Sequence, residues 1–307
     1  MAVTLLQHGL IVANHGRHFL VEKESGVRLI CHSRSKKSQG VVGDRVLWQA
    51  SQDEGTIEKI APRRNLFYRQ DEVRTKSFAA NLDHVLIFLA AKPEFSSNQL
   101  SRALIAAEEQ RITPIIALNK SDLTVPFANA WNWLQPYRQM GYDVVPLALT
   151  HNSDTDRQAL LQRLTDKATL VLGPSGAGKS TLINCLIPGA LAHTGQLSST
   201  LNSGKHTTTT TTWYWLDDHK NTALLDSPGF QEFGLNHIDP AQLASYMPDI
   251  QRHATQCRFY NCSHLHEPGC GVMAAIQQGD IADGISINRY KIYSDLYAEL
   301  KQIRHYY

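Results

Sequence analysis

The sequence has no long hydrophobic run and few cysteines. None of its apolar stretches approaches the roughly 20 residues that a membrane-spanning helix needs. The first ten residues, MAVTLLQHGL, lack the charged start and long apolar stretch of a secretion signal. We therefore expect a soluble, cytoplasmic protein that does not bind a membrane. Five cysteines in 307 residues do not form a disulfide framework in a reducing compartment, where clustered cysteines usually bind metal.

The charged residues nearly balance, with 30 Lys and Arg against 28 Asp and Glu, but their distribution is uneven. Residues 1–76 carry 13 basic and 8 acidic side chains. The basic excess is densest at Arg34, Lys36 and Lys37 and at Arg63 and Arg64. The N-terminal region therefore has the charge of a surface that binds nucleic acid.

Five short β-strands are predicted in this region, at residues 9–14, 18–22, 27–31, 45–50 and 55–60. Five strands with basic loops suit an oligonucleotide-binding (OB) barrel, and we assign residues 1–70 to it. A small β-domain whose loops are merely solvated is the alternative. Residues 65–81 show no sustained period, which predicts a linker to the next domain.

The segment GPSGAGKST at residues 173–181 matches the phosphate-binding loop (P-loop) pattern GxxxxGK[ST] in full. A predicted buried strand at 168–172 precedes it and a predicted helix at 180–186 follows it, as this loop requires. Its amides would cradle the phosphates, Lys179 would reach the β- and γ-phosphates, and the Ser180 hydroxyl would bind Mg²⁺. The predicted nucleotide-binding residues here are Gly173, Pro174, Ser175, Gly176, Ala177, Gly178, Lys179, Ser180 and Thr181.

A second motif, NKSD, follows the predicted strand 114–118 and contributes Asn119, Lys120, Ser121 and Asp122. The Asp122 carboxylate can accept hydrogen bonds from the ring NH and the exocyclic amine of guanine, a donor pair that adenine lacks. We expect Asn119 to tie this loop to the P-loop and Lys120 to lie along the base. Four residues alone would also suit a solvated turn, and residues 148–150, where another base contact is expected, match no such pattern.

The motif DSPG at residues 226–229 follows a predicted strand at 222–225. Asp226 would hold Mg²⁺ through water, and the Gly229 amide would contact the γ-phosphate. A plain turn that contains Pro228 and Gly229 is the alternative.

The run GKHTTTTTT at residues 204–212 should supply a threonine hydroxyl to Mg²⁺ in the GTP state. Thr208 is our first choice, with Thr207 and Thr209 as alternatives. A threonine-rich strand that continues into residues 213–216 explains the run equally well.

Residue 230 bears on catalysis. Many small GTPases place a water-orienting glutamine there, but Phe230 has no polar atom to offer. Hydrolysis must then be slow or use another residue; His206 is the candidate, with Gln231 and Glu232 as alternatives. The predicted catalytic set is Lys179, Ser180, Thr208, His206, Asp226 and Gly229.

Strands predicted at 84–90 and 143–147 alternate with helices near 98–110, 128–139 and 154–164. Residues 71–235 therefore read as a doubly wound α/β domain. In ordinary GTPases the P-loop comes first and NKxD last, whereas here NKSD precedes the P-loop. This inversion predicts a circularly permuted GTPase domain.

Residues 236–307 are predicted to form a mostly α-helical zinc-binding domain. Cys257, Cys262, His264 and Cys270 have the short spacings of a closed tetrahedral zinc site, which is structural because it leaves no open position. His266 is an alternative to His264. Cys31 and Cys185 read as small core residues.

Together these segments resemble the RsgA (YjeQ) family of circularly permuted GTPases over essentially the whole chain. The motifs that carry the resemblance are VGDRV at 42–46, PRRNLFYR at 62–69, NLDHVLIF at 81–88, NKSD, GPSGAGKST, GKHTTTT, DSPGFQEFGL at 226–235 and CRFYNCSHLHEPGC at 257–270. The barrel loop departs from the family pattern, since residues 31–37 read CHSRSKK.

The resemblance implies an OB barrel, a permuted GTPase domain and a zinc domain with a C-terminal helix. It further implies a monomer that binds GTP and GDP with Mg²⁺, holds one structural Zn²⁺, and contacts the small (30S) ribosomal subunit and its 16S rRNA. The expected function is to assist late maturation of that subunit, with slow GTP hydrolysis that the subunit stimulates.

Two other functions remain open on the sequence. One is a GTP-dependent ribosome-binding switch with negligible hydrolysis, which Phe230 makes credible. The other, a P-loop small-molecule kinase, lacks a segment that resembles an arginine-bearing lid. We also expect the DSPG loop to run directly into the C-terminal domain after Leu235, so that the nucleotide state biases that domain.

Overall fold

The structure is a computed structural model that describes residues 6–16, 18–34, 40–51, 54–151, 153–188, 211–227, 233–277 and 284–304. Its strands are β1 Gln7–His15, β2 His18–Lys23, β3 Arg28–Ser33, β4 Arg45–Ala50, β5 Gly55–Ile60, β6 Leu66–Gln70, β7 Thr75–Ala80, β8 His84–Ala90, β9 Thr113–Asn119, β10 Asp143–Pro146, β11 Ala168–Leu172, β12 Thr212–Trp215 and β13 Ala223–Asp226.

The α-helices in these ranges are α1 Ser97–Glu109, α2 Thr124–Trp133, α3 Gln135–Gln139, α4 Ser153–Leu164, α5 Lys179–Leu186, α6 Pro248–Ala254, α7 Gly271–Gln277 and α8 Ile287–Arg304. A 3-10 helix covers Pro240–Tyr246. Among the residues that the structure describes, no helix combines the length and apolar character needed to cross a membrane.

The first five strands close into a barrel. They pair in the order β1-β2-β3-β5-β4, and β1 also pairs with β4 to complete the ring. The core contains Val21, Cys31 and Trp48, whose side chains have no exposed surface. Gly55 fits beside them because a Cβ there would lie 2.5 Å from the Cys31 Sγ and 2.8 Å from the Trp48 ring. The OB-like barrel is confirmed, and burial raises the pKa of the Cys31 thiol to about 11, which keeps it unreactive.

Strands β8 to β13 form an α/β sheet in the order β10-β9-β8-β11-β13-β12. All neighbours are parallel except β12, which is antiparallel to β13. Strands of a parallel sheet are covered on both faces and are therefore apolar throughout; β8 and β9 each bury six of their seven residues. The P-loop strand β11 lies in the interior, between β8 and β13, although it is the fourth of these strands along the chain.

The barrel and the α/β sheet are joined edge to edge. Ala13 of β1 pairs with Thr212 of β12, which makes one continuous sheet of eleven strands. The side chain of Glu22 in β2 also accepts a hydrogen bond from the Trp215 ring nitrogen in β12. The two domains therefore share backbone hydrogen bonds as well as side-chain contacts.

The sequence-based prediction of a linker at residues 65–81 is wrong. Strands β6 and β7 form an antiparallel hairpin there, with a register irregularity between Phe67 and Tyr68 that hides the two-residue period in the sequence. Gly43 backs onto the hairpin so closely that a Cβ would lie 2.2 Å from the Ala80 carbonyl oxygen. The hairpin spans the predicted domain boundary at residue 70.

A buried arginine holds the C-terminal helices on the α/β domain. Arg289 of α8 is 3% exposed and donates to both carboxylate oxygens of Asp249 in α6, at 2.8 and 3.0 Å. It also donates to the Ser101 hydroxyl of α1, at 2.6 Å, and its guanidinium lies 5.1 Å from the centre of the Tyr137 ring in α3. One side chain thus joins four helices.

We expect Asp249→Ala to lower stability by about 3 to 5 kcal/mol, because it leaves the Arg289 charge buried and unpaired. Asp143→Ala is the matched control: Asp143 also accepts from an arginine Nε at 2.8 Å, from Arg163, but at the surface. That change should cost at most about 1 kcal/mol. Urea unfolding followed by circular dichroism measures both, and equal shifts of the two midpoints would contradict the assignment.

Candidate nucleotide and metal sites

The three nucleotide motifs meet at one edge of the α/β sheet. NKSD begins at the end of β9, the P-loop follows β11, and Asp226 ends β13. The chain leaves β8 and β11 toward opposite sides of the sheet, so the crevice beyond their carboxyl ends is a topological switch point. Open α/β sheets bind ligands at such a point.

Two glycines give the P-loop its path. A Cβ on Gly173 would lie 2.2 Å from the Phe88 carbonyl oxygen, so only glycine lets the chain pass β8 so closely. Gly178 has a left-handed φ of 101° and is the residue from which α5 begins. The loop therefore ends at a helix N-terminus, whose free amides and dipole attract phosphate.

Lys179 and Asp226 are the charged groups at the centre of this edge. The Lys179 ammonium donates to the carbonyl oxygens of Gly173 and Pro174, at 2.5 and 3.3 Å. Burial lowers its pKa, and the Asp226 carboxylate acts in the opposite direction. Burial also raises the pKa of Asp226 to about 6, against the influence of Lys179. A half-buried cation and a buried carboxylate suit a phosphate that is bound together with a metal ion.

Asn119 connects the two loops, as expected from the sequence. Its amide nitrogen donates to the Ala177 carbonyl oxygen at 3.0 Å. The Lys120 side chain also reaches the P-loop. Its ammonium donates to the carbonyl oxygens of Lys92 and Gly176, the latter at 3.0 Å. Both side chains hold NKSD against the P-loop.

The loop after β10 lies beside NKSD. The Ser121 amide donates to the Leu147 carbonyl oxygen at 2.9 Å, and His151 Nδ1 lies 3.6 Å from the Asp122 carboxylate. A groove of about 530 Å³ runs from Leu149 to the side chains of Ser180 and Thr181. The sequence of this loop matched no pattern, yet the loop has the position of a base contact.

Several predicted residues lie outside the part of the chain that the structure describes. These are Thr207, Thr208 and Thr209, the candidate His206, and Gly229, Phe230, Gln231 and Glu232. Their flanks are described: the Ser227 hydroxyl donates to the Val171 carbonyl oxygen at 2.7 Å, at the start of the DSPG loop.

The segment that follows the DSPG loop is held by a contact that the sequence did not predict. Gln70 of β6 donates its amide to the Gly234 carbonyl oxygen at 3.0 Å and accepts from the Asn236 amide at 3.1 Å. The chain therefore pairs with the hairpin before it reaches the C-terminal helices. The sequence suggested a direct connection between the loop and those helices.

Cys257, Cys262, His264 and Cys270 form the second site. Their four ligand atoms all lie within 4.8 Å of one another. The Cys257 Sγ is 3.8 Å from the Cys270 Sγ and 3.4 Å from His264 Nδ1, which is 3.6 Å from the Cys270 Sγ. Around a tetrahedral zinc ion, such atoms are about 3.5 to 3.8 Å apart. The cluster thus fits a metal ion, and His264 rather than the exposed His266 belongs to it.

The surroundings of this cluster orient its ligands. The Gly271 and Met273 amides donate to the sulfurs of Cys257 and Cys270, at 3.3 and 3.4 Å. Glu267 accepts from the Ser263 amide at 2.8 Å and lies 3.6 Å from the Cys262 Sγ. Burial of Glu267 works against its charge, but the Ser263 hydrogen bonds outweigh it and hold the pKa well below its usual range. Such supporting contacts are typical of a metal site.

Comparison with known proteins identifies the chain. A family model described as RsgA GTPase matches residues 60–236, more than half of the sequence. The chain is 66% identical over 301 residues to the small ribosomal subunit biogenesis GTPase RsgA of Variovorax paradoxus (strain S110). The aligned region covers 98% of this chain and 95% of the relative. The protein of the same name from Paraburkholderia xenovorans (strain LB400) is 47% identical over 300 residues, with 96% and 94% covered. The chain belongs to the RsgA GTPase family.

Solved structures show the same architecture as this RsgA GTPase. YjeQ from Thermotoga maritima matches with a TM-score of 0.73 and 27% identity, covering 96% of this chain and 99% of that one. YloQ, described as a circularly permuted GTPase, matches with a TM-score of 0.70 and 27% identity, covering 97% and 96%. The predicted family, fold class and permutation are therefore confirmed, and GTP hydrolysis is the activity of the family.

Two motifs of this RsgA GTPase prove to be structural. Arg63 of PRRN donates to both carboxylate oxygens of Asp44 in VGDRV, which has no exposed surface, at 2.7 and 2.8 Å. Arg64 pairs with Asp83 at 2.9 Å. Arg34 pairs with Glu58 but is 72% exposed, and Lys36 and Lys37 lie outside the described residues. Arg63 is only 27% exposed, whereas Arg64 is 58% exposed and thus, like Arg34, lies mostly in solvent.

Three side-chain contacts of this RsgA GTPase were not predicted from its sequence. Glu22 binds Trp215 and Lys220, Arg102 donates to Glu299 and to the Phe233 carbonyl oxygen, and Glu267 accepts from Ser263 beside the cysteine and histidine cluster. The first two join residues more than 130 positions apart. Glu267 had a local signal, since it lies between two metal ligands.

Proposed function

We propose that the protein binds the small ribosomal subunit, assists its late maturation, and hydrolyses GTP to GDP and phosphate at a rate that the subunit raises. The observation that carries this proposal is the Asn119 to Ala177 hydrogen bond, which fixes a guanine-reading motif against a complete P-loop. The relatives that share nearly the whole chain are named small ribosomal subunit biogenesis GTPases. We also propose that it works as a cytoplasmic monomer.

The P-loop would bind the phosphates through its own backbone amides and the Lys179 ammonium. The Lys179 ammonium now rests on two carbonyl oxygens of the loop. Phosphate oxygens are stronger acceptors because they are charged, so they would replace those carbonyls. The ammonium would then neutralise charge that develops on the β- and γ-phosphates during hydrolysis.

Oxygen ligands for a magnesium ion are present in the same place. The Ser180 hydroxyl and the buried Asp226 carboxylate are hard donors of the kind that Mg²⁺ prefers. When bound, Mg²⁺ would offset the charge of the phosphates. The Thr208 hydroxyl would be a further ligand for Mg²⁺, the Gly229 amide would contact the γ-phosphate, and His206 would orient the attacking water.

Guanine specificity would come from Asp122. Lys120 and Asn119 hold NKSD against the P-loop, so a base on the Asp122 side lies at a fixed distance from the phosphates. The loop after β10 closes this side through its bond from Ser121 to Leu147. The remaining members of both motifs would contact the nucleotide through their backbones.

Contact with 16S rRNA would fall mainly to the barrel. OB barrels bind nucleic acid through a positive groove, and residues 1–76 carry the basic excess. Since Arg63 is held by the buried Asp44, we assign this contact to the more exposed Arg34 and Arg64 and to Lys36 and Lys37. The alternative function, a switch with negligible hydrolysis, rests on Phe230.

We expect purified small subunits, but not large subunits, to raise the rate of GTP hydrolysis at least about tenfold. Phe230 cannot orient the attacking water, and contact with the subunit would position the residues that can. Phosphate release with increasing subunit concentration measures this, and Lys179→Ala is the control that should remove both basal and stimulated activity. A flat titration with low basal turnover would favour the switch, and equal stimulation by large subunits would contradict the proposed partner.

We expect Asp122→Asn to weaken GDP binding by about 1 to 3 kcal/mol, since the amide cannot accept from both guanine donors. This corresponds to roughly 5- to 150-fold. The same variant should gain affinity for xanthosine diphosphate, because its NH₂ group can donate to the carbonyl that replaces the guanine amine. Titration with fluorescent nucleotides measures both, and unchanged GDP affinity would contradict the assignment.

We propose that the cysteine and histidine cluster holds one structural Zn²⁺, because three thiolates and one imidazole leave no open position. Elemental analysis of protein purified without chelators should find about one zinc per chain. Cys262→Ser should lose the metal and loosen the C-terminal helices, since a closed site contributes to folding. Cys185→Ser, outside the cluster, is the control that should keep it; full zinc in both variants would contradict the site.

A further inference from the structure

Strand β12 is the single strand between the barrel and the metal-site aspartate. Thr212, its first residue, pairs with Ala13 of β1 on one side and with Asp226 of β13 on the other. The three residues form one row across the sheet. A shift of β1 relative to β13 must therefore change the hydrogen bonds of Thr212 on one side or the other.

The other end of β12 is held by a carboxylate of the barrel. Glu22 in β2 accepts from the Trp215 Nε1 at 2.8 Å and from the Lys220 ammonium at 2.7 Å. Arg28 of β3 donates to the second oxygen at 2.8 Å. Trp215 ends β12, and Lys220 lies in the turn between β12 and β13. The barrel thus holds β12 at both ends, through backbone at Thr212 and through Glu22 at Trp215.

The surroundings of Glu22 make this contact well defined. Its side chain is 5% exposed, and it accepts from donors on both sides of the domain junction. Burial by itself raises the pKa of Glu22, but the hydrogen bonds from Lys220, Arg28 and Trp215 outweigh it and the pKa lies below its ordinary value. Charge-assisted hydrogen bonds of this kind are stronger and more directional than neutral ones.

We propose that Glu22 is a positioning residue for GTP hydrolysis. It holds β12 in place so that β13 presents Asp226 to the metal ion, and it makes the position of that carboxylate change when the barrel is displaced. The second part rests on the proposed function, in which the barrel contacts the subunit. Among the described residues, Glu22 forms no hydrogen bond with NKSD or the P-loop, so it would act through β12 and the turn that contains Lys220. NKSD follows β9 and the P-loop follows β11, both beyond β13 as seen from Glu22, so the protein should keep its affinity for GDP.

The test uses two variants of the full-length protein. Glu22→Gln keeps the size of the side chain but removes its charge, and Trp215→Phe removes the Nε1 donor while keeping an aromatic ring. Glu58→Gln is the matched control: Glu58 is another barrel glutamate, 14% exposed and paired with Arg34, and its bonded partner lies within the barrel. The midpoint of urea unfolding identifies any variant that has lost the fold. If Glu22→Gln has lost it, the milder change Trp215→Phe decides the test.

In the free protein, both variants should need about tenfold more Mg²⁺ for half-maximal hydrolysis, while GDP affinity measured without Mg²⁺ stays within about twofold of the wild type. The control should behave as the wild type. A merely structural role would lower the urea midpoint and GDP affinity together. If the Mg²⁺ requirement of both variants equals that of the control, the proposal is wrong.

The second measurement is stimulation at saturating small subunit, where differences in subunit affinity no longer matter. Both variants should lose most of the stimulation that the wild type shows, and the control should keep it. If small subunits stimulate both variants fully, the claim that displacement of the barrel changes the position of Asp226 is wrong, whatever the Mg²⁺ measurement shows. A wild type that subunits do not stimulate would instead refute the proposed function, and the Mg²⁺ measurement would still decide whether Glu22 positions Asp226.

Discussion

The parallel hydrogen-bond ladder that joins β9, β8, β11 and β13 in this order places the described nucleotide motifs of this protein. Parallel strands gather their carboxyl ends at one edge whatever their order in the chain, so NKSD and the P-loop meet although the first precedes the second. Asn119 then fixes the distance between them. The site depends on strand neighbours rather than on chain order, and this explains how a permuted sequence keeps an intact nucleotide site.

The C-terminal helices have a different source of order. The C-terminal region 236–307 has 72 residues, too few for a large independent core, and small domains of this size usually rely on cross-links. Here the metal-ligand cluster ties the loop before α7, and Tyr290 and Tyr293 of α8 donate to the carbonyl oxygens of His264 and Ser263, both at 2.9 Å. Arg289 then fastens α8 to the α/β domain. The cysteine and histidine cluster and the ion pair therefore hold successive parts of one helix.

The sequence predicted those parts of the protein whose chemistry is local. The P-loop, NKSD and the metal ligands are short segments in which a few neighbouring residues determine the conformation. The β6–β7 hairpin was missed because its irregularity at Phe67 interrupts the alternation on which strand prediction depends. The contact of Glu22 with Trp215 was missed because the two lie 193 residues apart, and nothing near either residue signals the other. Sequence patterns also gave no sign of a cavity of about 1550 Å³ between the hairpin, α1 and α8.

The pairing of β1 with β12 also sets an order of events during synthesis. The barrel can close as soon as β4 and β5 have emerged, because its strands are near neighbours in sequence. Its remaining bond across the sheet must wait for Thr212, which follows Ala13 by almost 200 residues. Thr212 follows the end of β5 by about 150 residues, so at about 5 to 20 residues per second the barrel exists for about 8 to 30 seconds without its partner strand. The edge of β1 that later receives β12 is therefore open on the growing chain, and the α/β sheet is completed against a barrel that has already folded.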